Sequence, residues 1–153
     1  MRSLELRIPP PLVALLVAGA MWGLAAVAPR LDMPAFPRHA AATAIALAGL
    51  ACSLAGIAVF RRAHTTVNPM RPQTSSSLVV SGIYRVTRNP MYLGLVCVLV
   101  AWAGLLSSAW ALLGPVAFVL YMNRFQIAPE ERALAALFGA DYAAYRASVR
   151  RWL

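Results

Sequence analysis

Four long apolar segments are the feature that most constrains how this chain can fold. They cover residues 11–28, 40–60, 91–106 and 109–125. A transmembrane helix needs about 20 predominantly apolar residues, and each segment is close to that length, although the third is short. The chain is 61% hydrophobic and 12% charged, whereas soluble domains are about one quarter charged. The sequence therefore predicts an all-α integral membrane protein with about four transmembrane helices, in a single domain over residues 1–153.

The first apolar segment also has features of a secretory signal. Arg2 and Arg7 precede it, and it ends in small residues. Its apolar length lies at the top of the range for signals, and three more membrane segments follow it. We therefore predict that it is a retained transmembrane helix.

The distribution of arginine predicts how the helices are oriented in the membrane. Residues 61–90 carry five arginines and no acid, and residues 124–153 carry five arginines and three acids. The loop between the first two helices holds only Arg30 and Arg38, against Asp32. Because cytoplasmic loops are enriched in arginine and lysine, we predict a cytoplasmic loop at 61–90, a cytoplasmic tail at 126–153 and cytoplasmic termini.

The net charge of +9 needs no nucleic-acid partner, because the arginines flank the apolar segments, where membrane topology explains them. Cys52 and Cys97 both lie inside apolar segments, and neither has metal-ligand or Cys-x-x-Cys spacing. We expect two core-packing thiols, with no metal site and no disulfide.

The tail pattern predicts two helices after the last membrane segment. The first begins near Pro129, has two glutamates in its first turn, and is capped by Gly139. Asp141 can cap the second helix, which would carry an aromatic and apolar stripe for packing on protein or for the headgroup region. The stripe residues, at alternating three- and four-residue spacing, are Tyr142, Tyr145, Val149 and Trp152.

Two polar clusters are the main functional clue, because polar residues are rare elsewhere. The first is residues 65–94, where Asn89 can cap the third helix and Pro90 takes its first position. The second is residues 124–132, at the exit of the fourth helix. A tight hairpin at Ser107 and Ser108 would bring the two clusters together. The side chains expected to meet there are Arg88, Asn89, Tyr92, Arg124, Glu130 and Glu131.

These residues also have a plainer explanation. Glu130 and Glu131 can complement a helix dipole and neighbouring arginines. Arg85 and Arg88, taken alone, are more often determinants of topology than ligands. The residue types alone leave both interpretations open.

Two sequence motifs, taken together and in their order along the chain, indicate a protein family more specifically than their single residues do. LVVSGIYRVTRNPMYLG, followed after a membrane hairpin by EERALAALFGADYAAYRASVRRW, resembles the isoprenylcysteine carboxyl methyltransferase family. The likeness is to its small bacterial members, which share the phospholipid-methyltransferase-like membrane fold. It covers about residues 65–152, while the first two helices match only in being hydrophobic.

The resemblance implies an S-adenosylmethionine site formed by the loop and the tail around the ends of the third and fourth helices, with S-adenosylhomocysteine as product. It implies contacts from residues 77–79 largely through their backbone. The implied cofactor-binding residues are Ser77, Leu78, Val79, Tyr84, Asn89, Pro90, Met91, Tyr92, Glu130 and Glu131.

Two positions depart from the eukaryotic members of that family. Those members carry a His-Pro pair where this chain has Asn89-Pro90, and asparagine cannot titrate near neutral pH. They also place a substrate-binding arginine four residues before the glutamate, where this chain has Gln126. This argues against a prenylcysteine carboxylate as the acceptor. Arg124, together with Arg88, is the candidate to orient the polar group of another acceptor.

The sequence thus predicts a methyltransferase that takes cofactor from the cytoplasm and a lipophilic or amphiphilic acceptor from the lipid bilayer. The accepting group would be a carboxylate, an amine or a thiol. The alternative is a non-catalytic membrane protein that retains the fold for ligand binding or assembly. A transporter is a third class, but no charged residue lies in the middle of a membrane segment, which argues against an ion relay.

Overall fold

The fold is seen in a computed structural model that describes residues 5–63 and 77–153. Within these ranges the chain is helical and has no strand, which confirms the predicted all-α class. Arg2 and most of the predicted central loop, residues 64–76, lie outside the described residues. The α-helices are α1 (Pro10–Val27), α2 (Ala35–Arg62), α3 (Pro90–Leu106), α4 (Leu113–Tyr121) and α5 (Ala128–Ser148).

Three helical stretches are long and apolar enough to cross a membrane: Pro10–Val27, Ala35–Arg62 and Ala109–Ser148. α3 is also apolar but shorter, at 17 residues. α1 and α3 lie within one residue of the predicted segments. α2 starts at Ala35 rather than near residue 40, because Pro37 falls within its first turn, where a helix tolerates proline.

A tight turn joins α3 to the next helical stretch. Ser107 ends α3 in the left-handed conformation, with φ of 51°, and its N–H donates to the carbonyl of Gly104. A short 3-10 turn, Ala109–Leu112, then leads into α4. The turn makes α3 and the following stretch antiparallel, as the two serines predict.

Small residues bring α2 and α3 into close contact. A Cβ atom added at Gly94 would lie 2.0 Å from the hydroxyl of Ser53 and 2.4 Å from the carbonyl oxygen of Gly49. Backbones approach this closely only where side chains are small, a common device in membrane helix pairs. The contact fixes the end of α2 beside the start of α3.

The tail has the predicted break between two helical parts at Gly139, but its first part continues from α4 instead of starting as a separate helix near Pro129. A π-helical turn, Met122–Ile127, joins α4 to α5 without a break. Gly139 separates two helical parts of α5, as predicted, with non-helical backbone angles: φ of 48° and ψ of −117°. α5 then ends at Ser148, whose hydroxyl donates to the carbonyl of Tyr145. Val149 and Trp152 therefore lie beyond the helix, and the predicted four-residue stripe is wrong for these two.

Candidate functional site

A partly open cavity lies where the start of α3 meets the α4–α5 junction. Residues 77–79 and a 3-10 turn, Gly82–Arg85, close its other sides. All the residues that the resemblance assigns to the cofactor line this one cavity, together with Arg88. They are Ser77, Leu78, Val79, Tyr84, Asn89, Pro90, Met91, Tyr92, Glu130 and Glu131.

Glu130 lies partly buried at the inner wall of the cavity. The hydroxyl of Tyr92 and the amide nitrogen of Gln126 each donate a hydrogen bond to its Oε1 at 2.5 Å. Within the described parts of the chain no arginine forms an ion pair with it. Burial raises the pKa of Glu130 to about 7, although both hydrogen bonds lower it. The nearby charge of Glu131 raises it further.

The sequence alone allowed Glu130 to be explained as a residue that complements a helix dipole. The continuity of α4 and α5 excludes that explanation. Ile127 and Ala128 already have α-helical backbone angles, so Glu130 does not face the free amides of a helix N-terminus. A carboxylate complements the helix dipole only within a terminal turn. The position of Glu130 is thus explained by the cavity rather than by the helix.

Glu131 has the opposite environment. Its carboxylate forms ion pairs with Arg88 at 3.0 Å and with Arg151 at 2.6 Å, and its side chain is 12% exposed. The hydrogen bond and charge of Glu131 raise the pKa of Arg151. Two guanidinium groups therefore balance this acid, whereas Glu130 faces uncharged donors.

The residues after α5 contact the cavity wall from behind, by accepting hydrogen bonds from Asn89 and its neighbours. The side-chain amide of Asn89 donates to the carbonyl oxygen of Arg151 at 2.9 Å, and the Thr87 hydroxyl donates to the same oxygen at 3.3 Å. The backbone N–H of Arg88 donates to the carbonyl of Arg150 at 3.0 Å. Asn89 precedes α3 as predicted, but its side chain does not cap the helix. Instead of capping the helix, Asn89 acts with Thr87 and Arg88 to hold the carbonyls of residues 150 and 151, and we call these three hydrogen bonds the clamp on the C-terminal segment.

Tyr84 is held by the turn that Gly82 begins at a φ of +59°. Its ring packs edge-on against Phe60 at 5.3 Å between ring centroids, and its carbonyl accepts a hydrogen bond from the Tyr145 hydroxyl at 2.8 Å. Burial raises the pKa of Tyr84, chiefly by desolvation. The Tyr84 hydroxyl therefore stays protonated and can donate to a ligand.

Three buried polar atoms on this cavity have no hydrogen-bond partner among the described residues. They are the Ser77 hydroxyl, the Tyr84 hydroxyl and Nε of Arg88. Buried polar groups are nearly always hydrogen-bonded, and unsatisfied ones call for an explanation such as an absent ligand or water. The three atoms are donors that a polar ligand in the cavity would satisfy.

The structure does not bring Arg124 to this cavity beside Arg88. Its side chain is 55% exposed, and its ion-pair partner is Glu5 at 3.9 Å. Both Arg124 and Gln126 belong to the π-helical turn Met122–Ile127, in which Gln126 donates a hydrogen bond to Glu130 and Arg124 pairs with Glu5. Gln126 therefore faces Glu130, and Arg124 points away.

Sequence reasoning missed several contributors. Gln126 carries a usable signal, since it precedes Glu130 by four residues, and so do Tyr142 and Tyr145, which belong to the predicted stripe and line the cavity. Phe60, which lines the cavity, and Arg151, which contacts the lining residues Asn89 and Glu131, carry no such signal, because only the packing of distant segments brings them there.

Comparisons with known proteins bear on the family of this chain. The sequence profile of the phospholipid methyltransferase family matches residues 37–141. An uncharacterised protein of Haemophilus influenzae is 48% identical over 63 residues, which are 41% of this chain and the whole of that protein. No solved structure matches the chain significantly. The profile spans more than half of the chain, including Glu130 and Glu131, and this chain belongs to the phospholipid methyltransferase family of membrane proteins.

Proposed function

We propose that this protein is an S-adenosylmethionine-dependent methyltransferase of the bacterial inner membrane, with its cofactor site in the cavity between α3 and α5. One observation carries the proposal: residues from three separate segments converge on a cavity that contains a partly buried carboxylate without a cationic partner among the described residues. The family acts on lipid-type substrates of membranes, and its members generally use this cofactor.

The polar groups of the cavity fit the chemistry of that cofactor. S-adenosylmethionine carries an ammonium group, a carboxylate, two ribose hydroxyls and an adenine. The Glu130 carboxylate can accept hydrogen bonds from an ammonium group or from hydroxyls. Nε of Arg88 and the hydroxyls of Ser77 and Tyr84 are donors for a carboxylate or for ring nitrogens.

The size of the cavity constrains how the cofactor would sit. Its volume is about 110 Å³, and pockets that enclose drug-sized ligands measure roughly 300–1,000 Å³. Only one part of the cofactor would fit inside the cavity, and the rest of the cofactor would extend through the open side. Glu130 is the group that would fix the buried part.

When bound, the cofactor supplies an electrophilic methyl group on a sulfonium sulfur. The residues of this chain would orient the reacting groups and exclude water from them, rather than transfer a proton. The walls are largely apolar, with Leu78, Val79 and Met91 beside Tyr92, and they would exclude water from a reacting nucleophile. Arg88 would orient a polar group through Nε, since its Nη1 already contacts Glu131 and Tyr142.

The acceptor in this proposal is a lipophilic or amphiphilic molecule that reaches the site from the bilayer. Its accepting group is a carboxylate, an amine or a thiol. The helices around the cavity expose many large apolar side chains, which is consistent with lipid on their outer faces. An acceptor dissolved in the cytoplasm would not need a site between helices with apolar outer faces.

The test is transfer of a labelled methyl group from S-adenosylmethionine to lipid extracts, isoprenoid thioethers and lipophilic thiols, with purified protein. We expect incorporation into the lipid fraction by wild type and its loss in Glu130→Ala. Arg124→Ala is the matched control, because this residue lies outside the cavity, and it should keep the activity. Saturable cofactor binding that Glu130→Ala fully retains would contradict the proposed site. Binding without transfer to any acceptor would favour the non-catalytic alternative.

A further inference from the structure

A second pocket lies at the opposite end of the helices. Its volume is about 350 Å³, and the end of α1, the linker to α2 and the end of α3 form it. α3 runs from the first cavity to this pocket, and 17 residues at about 1.5 Å each separate the two by roughly 25 Å. A molecule bound here is too far from Glu130 to be the methyl acceptor.

The polar lining of this pocket is basic. It consists of Arg30 from the linker, Arg38 from the first turn of α2, and Ser107 from the turn after α3. Nη1 of Arg38 donates to the hydroxyl of Ser107, and the N–H of Leu31 donates to the Ser107 carbonyl at 2.6 Å. Ser107 therefore holds the linker and α2 against the hairpin and keeps both arginines at the pocket.

The charges of these arginines are not balanced by acids in the described part of the chain. Neither Arg30 nor Arg38 forms an ion pair there, and Asp32, in the same linker, is exposed and pairs with neither. Nε of Arg38 is buried without a hydrogen-bond partner. The C-terminal ends of α1 and α3 each contribute about half a negative charge, which offsets only part of two full positive charges.

The rest of the lining is apolar. Trp22, Leu31, Leu105 and Leu106 form this part of the wall. An arginine pair beside apolar side chains matches an amphiphile whose charged end is a phosphate, because the guanidinium fork binds phosphate oxygens in pairs. A small soluble anion would use the arginines but leave the apolar wall without a role.

We propose that this pocket binds the phosphate group of a membrane lipid, with Arg30 and Arg38 on the phosphate and the apolar wall against the glycerol and first acyl carbons. The site is separate from the methyl-transfer cavity and does not depend on the function proposed for it. A lipid bound in this pocket would contact both the α1–α2 linker and the hairpin after α3, and it would stabilise their packing against each other.

The experiment measures saturable binding to the purified full-length protein in detergent by native mass spectrometry. The probes are phosphatidylglycerol, a diacylglycerol with the same acyl chains, and inorganic phosphate. Arg30→Gln and Arg38→Gln remove the two charges, and Arg61→Gln, at the other end of α2, is the control. Arg30→Gln remains a valid test if Arg38→Gln disturbs the hairpin, because the Arg30 side chain forms no hydrogen bond or ion pair with the described residues.

We expect phosphatidylglycerol to bind more tightly than diacylglycerol, with affinity reduced about tenfold in each pocket variant and unchanged in Arg61→Gln. Equal affinity for the two lipids would overturn the proposal, as would unchanged binding in both pocket variants. Inorganic phosphate binding as tightly as the phospholipid would overturn the lipid as the occupant.

Discussion

At the scale of single residues, the two adjacent glutamates of α5 show how environment assigns different roles to the same side chain. Glu131 lies between two guanidinium groups, and its charge is balanced inside the protein. Glu130 accepts hydrogen bonds only from uncharged groups among the described residues, and burial raises its pKa to about 7. The charge of Glu130 is therefore unfavourable in the free protein and favourable once a cation or hydroxyl group is bound.

Cofactor binding should depend on pH through this residue. Glu130 has a pKa of about 7 in the free protein, so the fraction ionised rises from about one tenth to about nine tenths between pH 6 and pH 8. If the ligand needs the carboxylate, its affinity should rise roughly tenfold over that range. Isothermal titration of S-adenosylmethionine checks this, and Glu130→Gln should bind weakly with no such slope. A slope that persists in the variant would assign the titration to another group.

The same residue should lower the stability of the empty protein at high pH. Its pKa is raised from 4.5 to about 7 on folding, so the native state binds the proton more tightly than the unfolded state. The free energy of unfolding should therefore fall as pH rises from 4.5 through 7, by up to about 3 kcal/mol. Glu130→Gln should have the higher Tm in detergent at pH 8 and a similar Tm at pH 5. The exposed Asp141→Asn is the control and should change neither value.

At the scale of elements, sequence pattern located the ends of α3 because both ends have local signals. Pro90 starts the helix, and Ser107 ends it in the left-handed conformation. The α4–α5 junction has no such signal, since a π-helical turn depends on how the helix packs rather than on one residue type. The candidate residues of the site were predictable from two motifs, whereas the direction of Arg124 and the clamp on Arg151 depend on that winding and packing.

The clamp on the C-terminal segment gives a direct test. Deleting residues 150–153 removes the carbonyls that accept from Arg88, Thr87 and Asn89 and removes one ion pair of Glu131. We expect cofactor affinity to fall at least tenfold while the helix content measured by circular dichroism is retained. Deleting Leu153 alone is the control, because its side chain is 67% exposed. Unchanged affinity in the longer deletion would show that the segment does not shape the site.

The α2–α3 contact can be tested with a matched pair of glycines in α3. Gly94→Ala places a methyl group 2.0 Å from the Ser53 hydroxyl and 2.4 Å from the Gly49 carbonyl oxygen, so the helices must move apart. Overpacking of this kind lowers stability by about 1–3 kcal/mol. Gly104→Ala meets nothing within 4 Å and should leave Tm unchanged or slightly raised. Equal Tm values for the two variants would contradict the close contact.

At the scale of the whole molecule, the two ends of the helices have different chemistry. One end holds the acid-containing cavity and the arginine pairs of Glu131, and the other holds Arg30, Arg38 and the hairpin. Because S-adenosylmethionine is a cytoplasmic metabolite, the proposed function requires the cavity end to face the cytoplasm. The excess of arginine in residues 61–90 independently predicts the same orientation.

That orientation can be measured in intact cells with a membrane-impermeant maleimide. In a background in which Cys52 and Cys97 are replaced by serine, Asp32→Cys and Asp141→Cys place one thiol at each end, at exposed positions. We expect labelling of Asp32→Cys in intact cells and of Asp141→Cys only after the membrane is permeabilised. The reverse pattern would put the cavity on the outer side, away from the cofactor supply, and would refute methyl transfer from S-adenosylmethionine while leaving the helical fold as it is. It would also move the arginine pocket to the cytoplasmic leaflet, where anionic lipid could still bind, so the two proposals stand or fall separately.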